Sequence, residues 1–509
     1  MSKVRFILLA VIMAALMVGT YIIKAMNSEG YDPFDPYTIV LDAGGDIGNY
    51  NTTASMEKST SNPYPYNELE TLCKEWMALP GNEDYKVVVA ETSYNGSTSS
   101  LRPLLNAKTA PDVIYMNGTT AEEDKDKGWF EPLKKYLMSP NVYCEEGTLG
   151  SERWIDLYGG ETEFVPQSDG EYYYINMERI PIGIIYNTKI LEECGISYPF
   201  SSLTELINAE KKISQSNKGY TYLTSYRWLD IQLESNMFAY LLDDPLIDID
   251  GNKNLDLKEL ISAYKNGKWA VDNDRYKAYL ELVQKKTKYY PRAYESLDAL
   301  SSFVGGRVAF MEGTGAVLRQ LSVNTSIPFT YKIMPYPTVE QQDLKNLGIT
   351  GADSITNDTL RQSRRGTAGY GTSWWVTNTA QDKGQKTVDK IVDLLMFLTA
   401  PEQNNRLVSK LGGGIPLNPN EGIDINEYLK PLLDLYVEDA KDENKISWAV
   451  WNSWNVLGTD YSNHFMEVTK KYINAELNGS HNFSFANLVD DLKGTTAATI
   501  REKEKTLPK

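Results

Sequence analysis

Hydrophobic positions along this chain switch repeatedly between a period of two and a period near 3.6. Residues 37–41 (YTIVL) are apolar and β-branched, which predicts a strand. Residues 67–77 then place Leu69, Leu72, Cys73 and Trp76 at helical spacing. A second strand follows at 85–90 (YKVVVA), a short helix at 101–108 through Leu101, Leu104 and Leu105, and a third strand at 110–115 (APDVIY). Strand and helix therefore alternate, an order that predicts a parallel sheet with helices on its faces. Ligands on such sheets bind beyond the carboxyl ends of the strands. Asp46 and Asn117 stand at two such ends.

Further along, Ser202-Leu-Thr-Glu205 reads as a helix capping box. Residues 172–175 and 182–186 read as strands around 176–179, and 226–242 as one or two buried helices. A strong helix at 388–398 stops at Pro401, and more helices fall at 429–437, 465–477 and 488–507. In 302–321, Gly305-Gly306 precedes a strand at 307–311, a small-residue loop Gly313-Thr314-Gly315 and an apolar-periodic segment. Such glycines permit tight turns and close backbone approach. Free N–H groups at a helix start suit a polar ligand, although an ordinary strand–turn–helix junction has the same pattern. Residues 248–259 (DIDGNKNLDLKE) space acidic and amide groups like an EF-hand loop, but Lys253 holds the position that needs glycine. The misplaced glycine favours a β-hairpin turning through Asp250-Gly251-Asn252.

The first residues change the picture. Lys3 and Arg5 precede an apolar run over 6–23, a positive segment followed by a hydrophobic one. An uncleaved membrane anchor, a cleaved signal and a buried helix are the three readings, taken in that order; residues 1–26 form this segment and 27–36 a polar linker. The charges should stay inside, which puts residue 27 onwards outside the cell. The net charge of −17 argues against nucleic acid as a partner. Three cysteines (Cys73, Cys144, Cys194) permit at most one disulfide, and two histidines (His464, His481) show no paired spacing. No zinc motif, phosphate loop or nucleophile motif occurs, so no metal, cofactor or catalytic residue is expected.

Several segments in this order resemble the extracellular solute-binding proteins, family 1, of bacterial ABC importers. The resemblance rests on LLNAKTAPDVIY (104–115), the aromatic Pro-Leu helix at 128–137, DGEYYYINMERIPIGIIYNTKIL (169–191), 195–207, 303–316, 369–378 and the Gly–Ile–Pro turn at 412–416. It covers about residue 37 to the end. It departs from Gram-positive members in lacking a lipid-anchored cysteine. The resemblance implies a two-lobed α/β periplasmic-binding-protein type II fold with a ligand cleft between lobes. Lobe 1 would hold 37–167 with 374–418, and lobe 2 168–373 with 419–509. It further implies capture of a small polar solute by hinge closure and docking on permease subunits.

Sugars offer faces of C–H bonds and rims of hydroxyls, which aromatic rings and polar side chains cover. The resemblance places Trp228, Trp374, Trp375, Trp451 and Trp454 near the cleft, with Asp46, Asn117, Glu178, Arg179, Gly313 and Thr314 as polar contacts. Core packing is the competing role for each tryptophan. Trp374 and Trp375 would face opposite sides of a strand, and Trp451 and Trp454 would share a helical face. The expected function is therefore an importer's carbohydrate-binding module, anchored outside the membrane or secreted. An extracellular glycosidase with two carboxylates and an anchored ligand sensor are the alternatives.

Overall fold

The computed structural model describes residues 34–507 except 45–49, 51–55, 58, 60–64, 91–97, 118–123, 162, 163, 165, 168, 222–226, 293–297, 323, 325, 371, 411, 412, 419–426, 443 and 481. The expected anchor at 1–26 and most of the linker lie outside the described residues. Among the described residues no helix is long and apolar enough to cross a membrane. The chain divides into two compact α/β units, one of residues 1–180 with 370–426 and one of residues 181–369 with 427–509.

The described strands, in chain order, are β1 (Thr38–Asp42), β2 (Lys86–Ala90), β3 (Val113–Asn117), β4 (Ile175–Asn176), β5 (Glu178–Asn187), β6 (Phe310–Thr314), β7 (Tyr331–Met334), β8 (Thr367–Tyr370), β9 (Thr372–Val376) and β10 (Ile415–Pro416). In the first unit the sheet order is β2-β1-β3-β9-β4. β1 is parallel to β2 and β3, as the strand–helix alternation predicts. β9 returns antiparallel to β3 and β4. Every residue of β1 is buried, which suits a strand with helices over both faces.

The two faces have separate cores. Trp374 joins Ile39, Leu41, Trp76, Trp154 and the helix Gln385–Thr399 on one side. Trp375 joins Leu101, Leu105, Ile114 and Phe130 on the other. Strand alternation sends the adjacent indoles to opposite faces, and both faces are covered. A buried ion pair crosses the edge of this sheet: Lys383 Nζ lies 2.7 Å from Asp112 Oδ2, which also accepts the Val40 N–H at 2.8 Å.

In the second unit β5 is central, antiparallel to β6 and β7 and paired with β8. β5 begins in the first unit, where Glu178 and Arg179 pair with β10, and continues past residue 180. Its register opposes Gly183 to Gly313. The expected capping box forms: Ser202 Oγ accepts from Glu205 N at 3.2 Å and caps the helix Leu203–Gln215. Helices Arg227–Phe238, Thr459–Asn478 and Phe485–Glu504 surround Trp269, Trp451 and Trp454, all buried.

Two expectations fail. Residues 246–256 form no hairpin; they bend directly into the helix Leu257–Lys265. The cause is the helix start itself. Asp256 caps it, and Glu259 returns a bond to the Asp256 N–H, drawing the expected second strand into the cap. The loop expected at 313–315 is also absent. β6 runs to Thr314 and the helix Gly315–Ser322 starts at the next residue.

Candidate functional site

β6 ends in Glu312-Gly313-Thr314, and its carboxylate organises a polar and aromatic group in the second unit. Glu312 Oε1 accepts the Tyr336 hydroxyl at 2.6 Å and the Trp228 backbone N–H at 2.9 Å. Trp228 stands in the first turn of Arg227–Phe238, where N–H groups have no partner within the helix, so a carboxylate completes that end. The Trp228 and Trp448 rings lie 5.7 Å apart at 54°. Arg227 places its guanidinium 5.9 Å from the Trp228 ring centre. Asp230, one turn on, is paired with buried Lys286.

Glu312, Trp228 and Trp448 keep part of their surface. Glu312 nevertheless sits in a recess where burial pushes its carboxyl up to about 7; hydrogen bonds from Tyr336 and Trp228 oppose that rise. Its second oxygen, Oε2, accepts no hydrogen bond among the described residues. Trp448 Nε1 likewise donates to nothing among them. That nitrogen is buried, so Glu312 Oε2 is the hydrogen-bonding atom left available in this group.

The glycine signal has a different origin from the one expected. A Cβ on Gly313 would meet Ile185 Cγ1 at 2.7 Å and Ile333 Cδ1 at 3.0 Å. On Gly183 it would meet the Met334 carbonyl oxygen at 2.2 Å. These glycines let β5, β6 and β7 pack closely, so the backbone approaches protein at these positions. Thr314 is the last residue of β6, opposite Ile182.

The remaining expected site residues fall as follows. Asp46 lies outside the described residues. Asn117 ends β3 opposite Thr372. Glu178 is buried, accepts the Tyr50 hydroxyl at 3.4 Å, and packs where any side chain on residue 414 would stand, 2.1 Å from its Oε2. Arg179 is buried, with Nε 3.5 Å from the Leu417 carbonyl oxygen. Tyr50 links Glu178 to Trp374, its ring 5.3 Å from the indole. Trp374, Trp375 and Trp451 are wholly buried and Trp454 nearly so. Trp451 stacks on Phe238 and Trp454 packs on Phe465. Only Trp454 belongs to the helix Ser453–Leu457, so the two share no helical face. The structure therefore brings Trp228 together with the end of β6, and Glu178 together with Trp374. Reading the sequence missed Glu312, Tyr336 and Trp448; the signal available was a lone acidic residue beside the glycine pair and a tryptophan three positions ahead of Trp451.

Asp248, Asp250 and Glu259 bring carboxylate oxygens within 4.8 Å of one another, a hard-oxygen group that suits a divalent cation. Lys253 takes a left-handed backbone (φ 60°) at the position where glycine is usual, and its ammonium lies 3.5 Å from Asp248 Oδ2. The loop thus carries a positive charge of its own beside Asp248. Glu259 accepts the Ile249 and Asp256 N–H groups, both at 2.9 Å, and burial pushes its carboxyl up to about 7. Cys73, Cys144 and Cys194 are free thiols.

The family described as bacterial extracellular solute-binding protein matches residues 72–422. No curated protein matches the sequence. Among solved structures, a family 1 extracellular solute-binding protein from Bifidobacterium longum subsp. infantis superposes with a TM-score of 0.55 at 14% identity, over 91% of this chain and 99% of that one. RafE from Streptococcus pneumoniae gives 0.55 at 16% identity, over 93% and 100%. A chitin oligosaccharide binding protein gives 0.56 at 12% identity, over 92% and 100%. At such identities the likeness shows the fold, the two-lobed α/β architecture of these proteins.

Proposed function

We propose, since the chain belongs to the bacterial extracellular solute-binding proteins, that it captures a carbohydrate outside the cell and delivers it to the permease of an ATP-driven importer. The observation that carries the carbohydrate reading is the chemistry of the solved relatives. RafE is solved with raffinose, GacH of Streptomyces glaucescens with acarbose, and a third is named for chitin oligosaccharides. The Trp228, Trp448 and Glu312 group supports it, since stacking rings beside an unused carboxylate oxygen fit a polyhydroxylated ring. In this reading the protein binds and releases its solute without changing it.

Residues 1–26 hold the protein to the outer face of the membrane, because two positive charges precede an apolar run. Intact mass of the cell-associated protein tests this: retention of Met1–Met26 supports the anchor, and a start after that segment removes it. A glycan array followed by titration with the captured sugar tests the function. Binding with the sugar recovered unaltered supports a carrier; steady hydrolysis, or silence across all carbohydrates, rejects it.

A further inference from the structure

We propose that Trp228, Trp448 and Glu312 form a sugar-ring seat in the second unit that accepts neutral or amino sugars and excludes uronates. The inference rests on the carbohydrate reading above and assigns it to particular atoms. Ionised, the form that dominates above about pH 7, a carboxylate is an acceptor only, so Glu312 Oε2 then requires a ligand O–H or N–H. That oxygen accepts nothing among the described residues, while Oε1 is held by Tyr336 and Trp228. The second oxygen is therefore fixed in place before a ligand arrives.

The indoles of Trp228 and Trp448, 5.7 Å apart and tilted at 54°, form two walls of a corner rather than a closed stack. A pyranose C–H face fits against one wall while its hydroxyl rim reaches the carboxylate. Trp448 Nε1 is buried, so Trp448 contributes its ring and not a hydrogen bond. The hydrogen bond available to a sugar hydroxyl is the one that Glu312 Oε2 accepts.

Charge sets the preference within carbohydrates. Lys286 is paired with Asp230 and only partly offsets Glu312, which has no ion pair of its own among the described residues. A uronate carboxylate seated here meets the ionised Glu312 carboxylate, a like-charge contact. An amino sugar meets the same group as an ion pair. Arg227 is exposed, with its guanidinium 5.9 Å from the Trp228 ring centre, and makes no ion pair with Glu312 among the described residues, so it does not neutralise Oε2.

The test uses the full chain at about pH 8.5, where Glu312 is ionised, and three probe classes: neutral (raffinose and N,N′-diacetylchitobiose), amino (glucosamine dimer) and uronate (galacturonate dimer), extended by a glycan array. The tightest-binding glycan is then titrated by tryptophan fluorescence against wild type, Glu312→Gln and Trp448→Phe. The expected result is binding of a neutral or amino glycan at least tenfold tighter than its uronate counterpart. Glu312→Gln should weaken that glycan about tenfold and shrink the gap to the uronate. Trp448→Phe should lose most of the fluorescence change. Gln keeps an acceptor for Tyr336 and Trp228, and an unchanged cooperative melt checks the fold. The uronate comparison on wild type needs no variant. Equal affinity in Glu312→Gln, or a uronate bound as tightly as its neutral counterpart, overturns the seat while leaving carbohydrate capture intact. Absence of binding to every carbohydrate overturns the reading beneath it, and the seat with it.

Discussion

Glu234→Gln should stabilise the second unit in mild alkali and leave it little changed in mild acid. Glu234 is wholly buried on the helix Arg227–Phe238. Its Oε1 accepts the Ser453 hydroxyl at 2.5 Å and Trp269 Nε1 at 3.3 Å, and its Oε2 accepts the Ser453 N–H at 3.3 Å. Burial pushes this carboxyl from the ordinary 4.5 up to about 7, and no cation is among the groups that pull it back. A carboxyl whose folded value is raised favours folding when protonated. Its contribution is complete below pH 4.5 and is lost as pH rises through about 7. The rise corresponds to about 3 kcal/mol lost by wild type at about pH 8. Glutamine carries no charge to desolvate, but its amide faces the Ser453 N–H, one hydrogen bond forfeited at about 1 kcal/mol. The variant should therefore gain about 2 kcal/mol at about pH 8 and change by well under about 1 kcal/mol at about pH 5, where the wild-type carboxyl has already lost roughly 1 kcal/mol of its contribution. Urea titration followed by tryptophan fluorescence at the two pH values measures both. A difference between variant and wild type that is the same at both pH values refutes the reasoning.

The other predictions concern packing and buried charge. Lys383→Met leaves Asp112 buried with backbone N–H groups but no cation beside it, at a cost of about 3–5 kcal/mol, and Lys383→Met with Asp112→Leu should recover most of it. Urea midpoints of the single and double variants check this. Gly183→Ala should cost about 1–3 kcal/mol or more, because its methyl would overlap the Met334 carbonyl. Gly494→Ala, in the helix Phe485–Glu504 with open space at its Cβ, should instead gain about 0.5–1 kcal/mol. Thermal melts of the pair should move in opposite directions, and a shift of the same sign rejects the packing account.

The regular elements were legible because they are amphipathic or wholly apolar over several residues. The parallel arrangement of β1, β2 and β3 follows from strand–helix alternation, and the capping box at Ser202 from local chemistry that tertiary packing does not override. The tryptophans were harder. Trp374 and Trp375 do alternate across a strand, but alternation gives a direction and not what lies there. Both faces of this sheet are covered, so both indoles are core. The segment 248–259 misled because Asp-Gly-Asn is turn chemistry in a hairpin and in a loop entering a helix. The Asp256–Glu259 reciprocal cap, visible in the sequence as a D-x-x-E spacing, decides between them.

Three carboxylates of the second unit, the buried Glu234 and Glu259 and the half-buried Glu312, share one electrostatic signature. Each is pushed up to about 7 by burial. The raised value therefore does not separate a binding residue from a structural one. Hydrogen-bond accounting does. Glu234 uses both oxygens on Ser453 and Trp269, and Glu259 uses both on the Ile249 and Asp256 N–H groups. Their desolvation is offset inside the fold, so a ligand would have to displace an existing bond. Glu312 spends one oxygen on two donors and leaves the other without any among the described residues. Glu312 keeps part of its surface, so water reaches that oxygen and an arriving hydroxyl replaces the water, whereas a fully bonded carboxylate offers no free acceptor. On the proposed function, that free and accessible acceptor, rather than charge or depth, is what singles out Glu312 among the three.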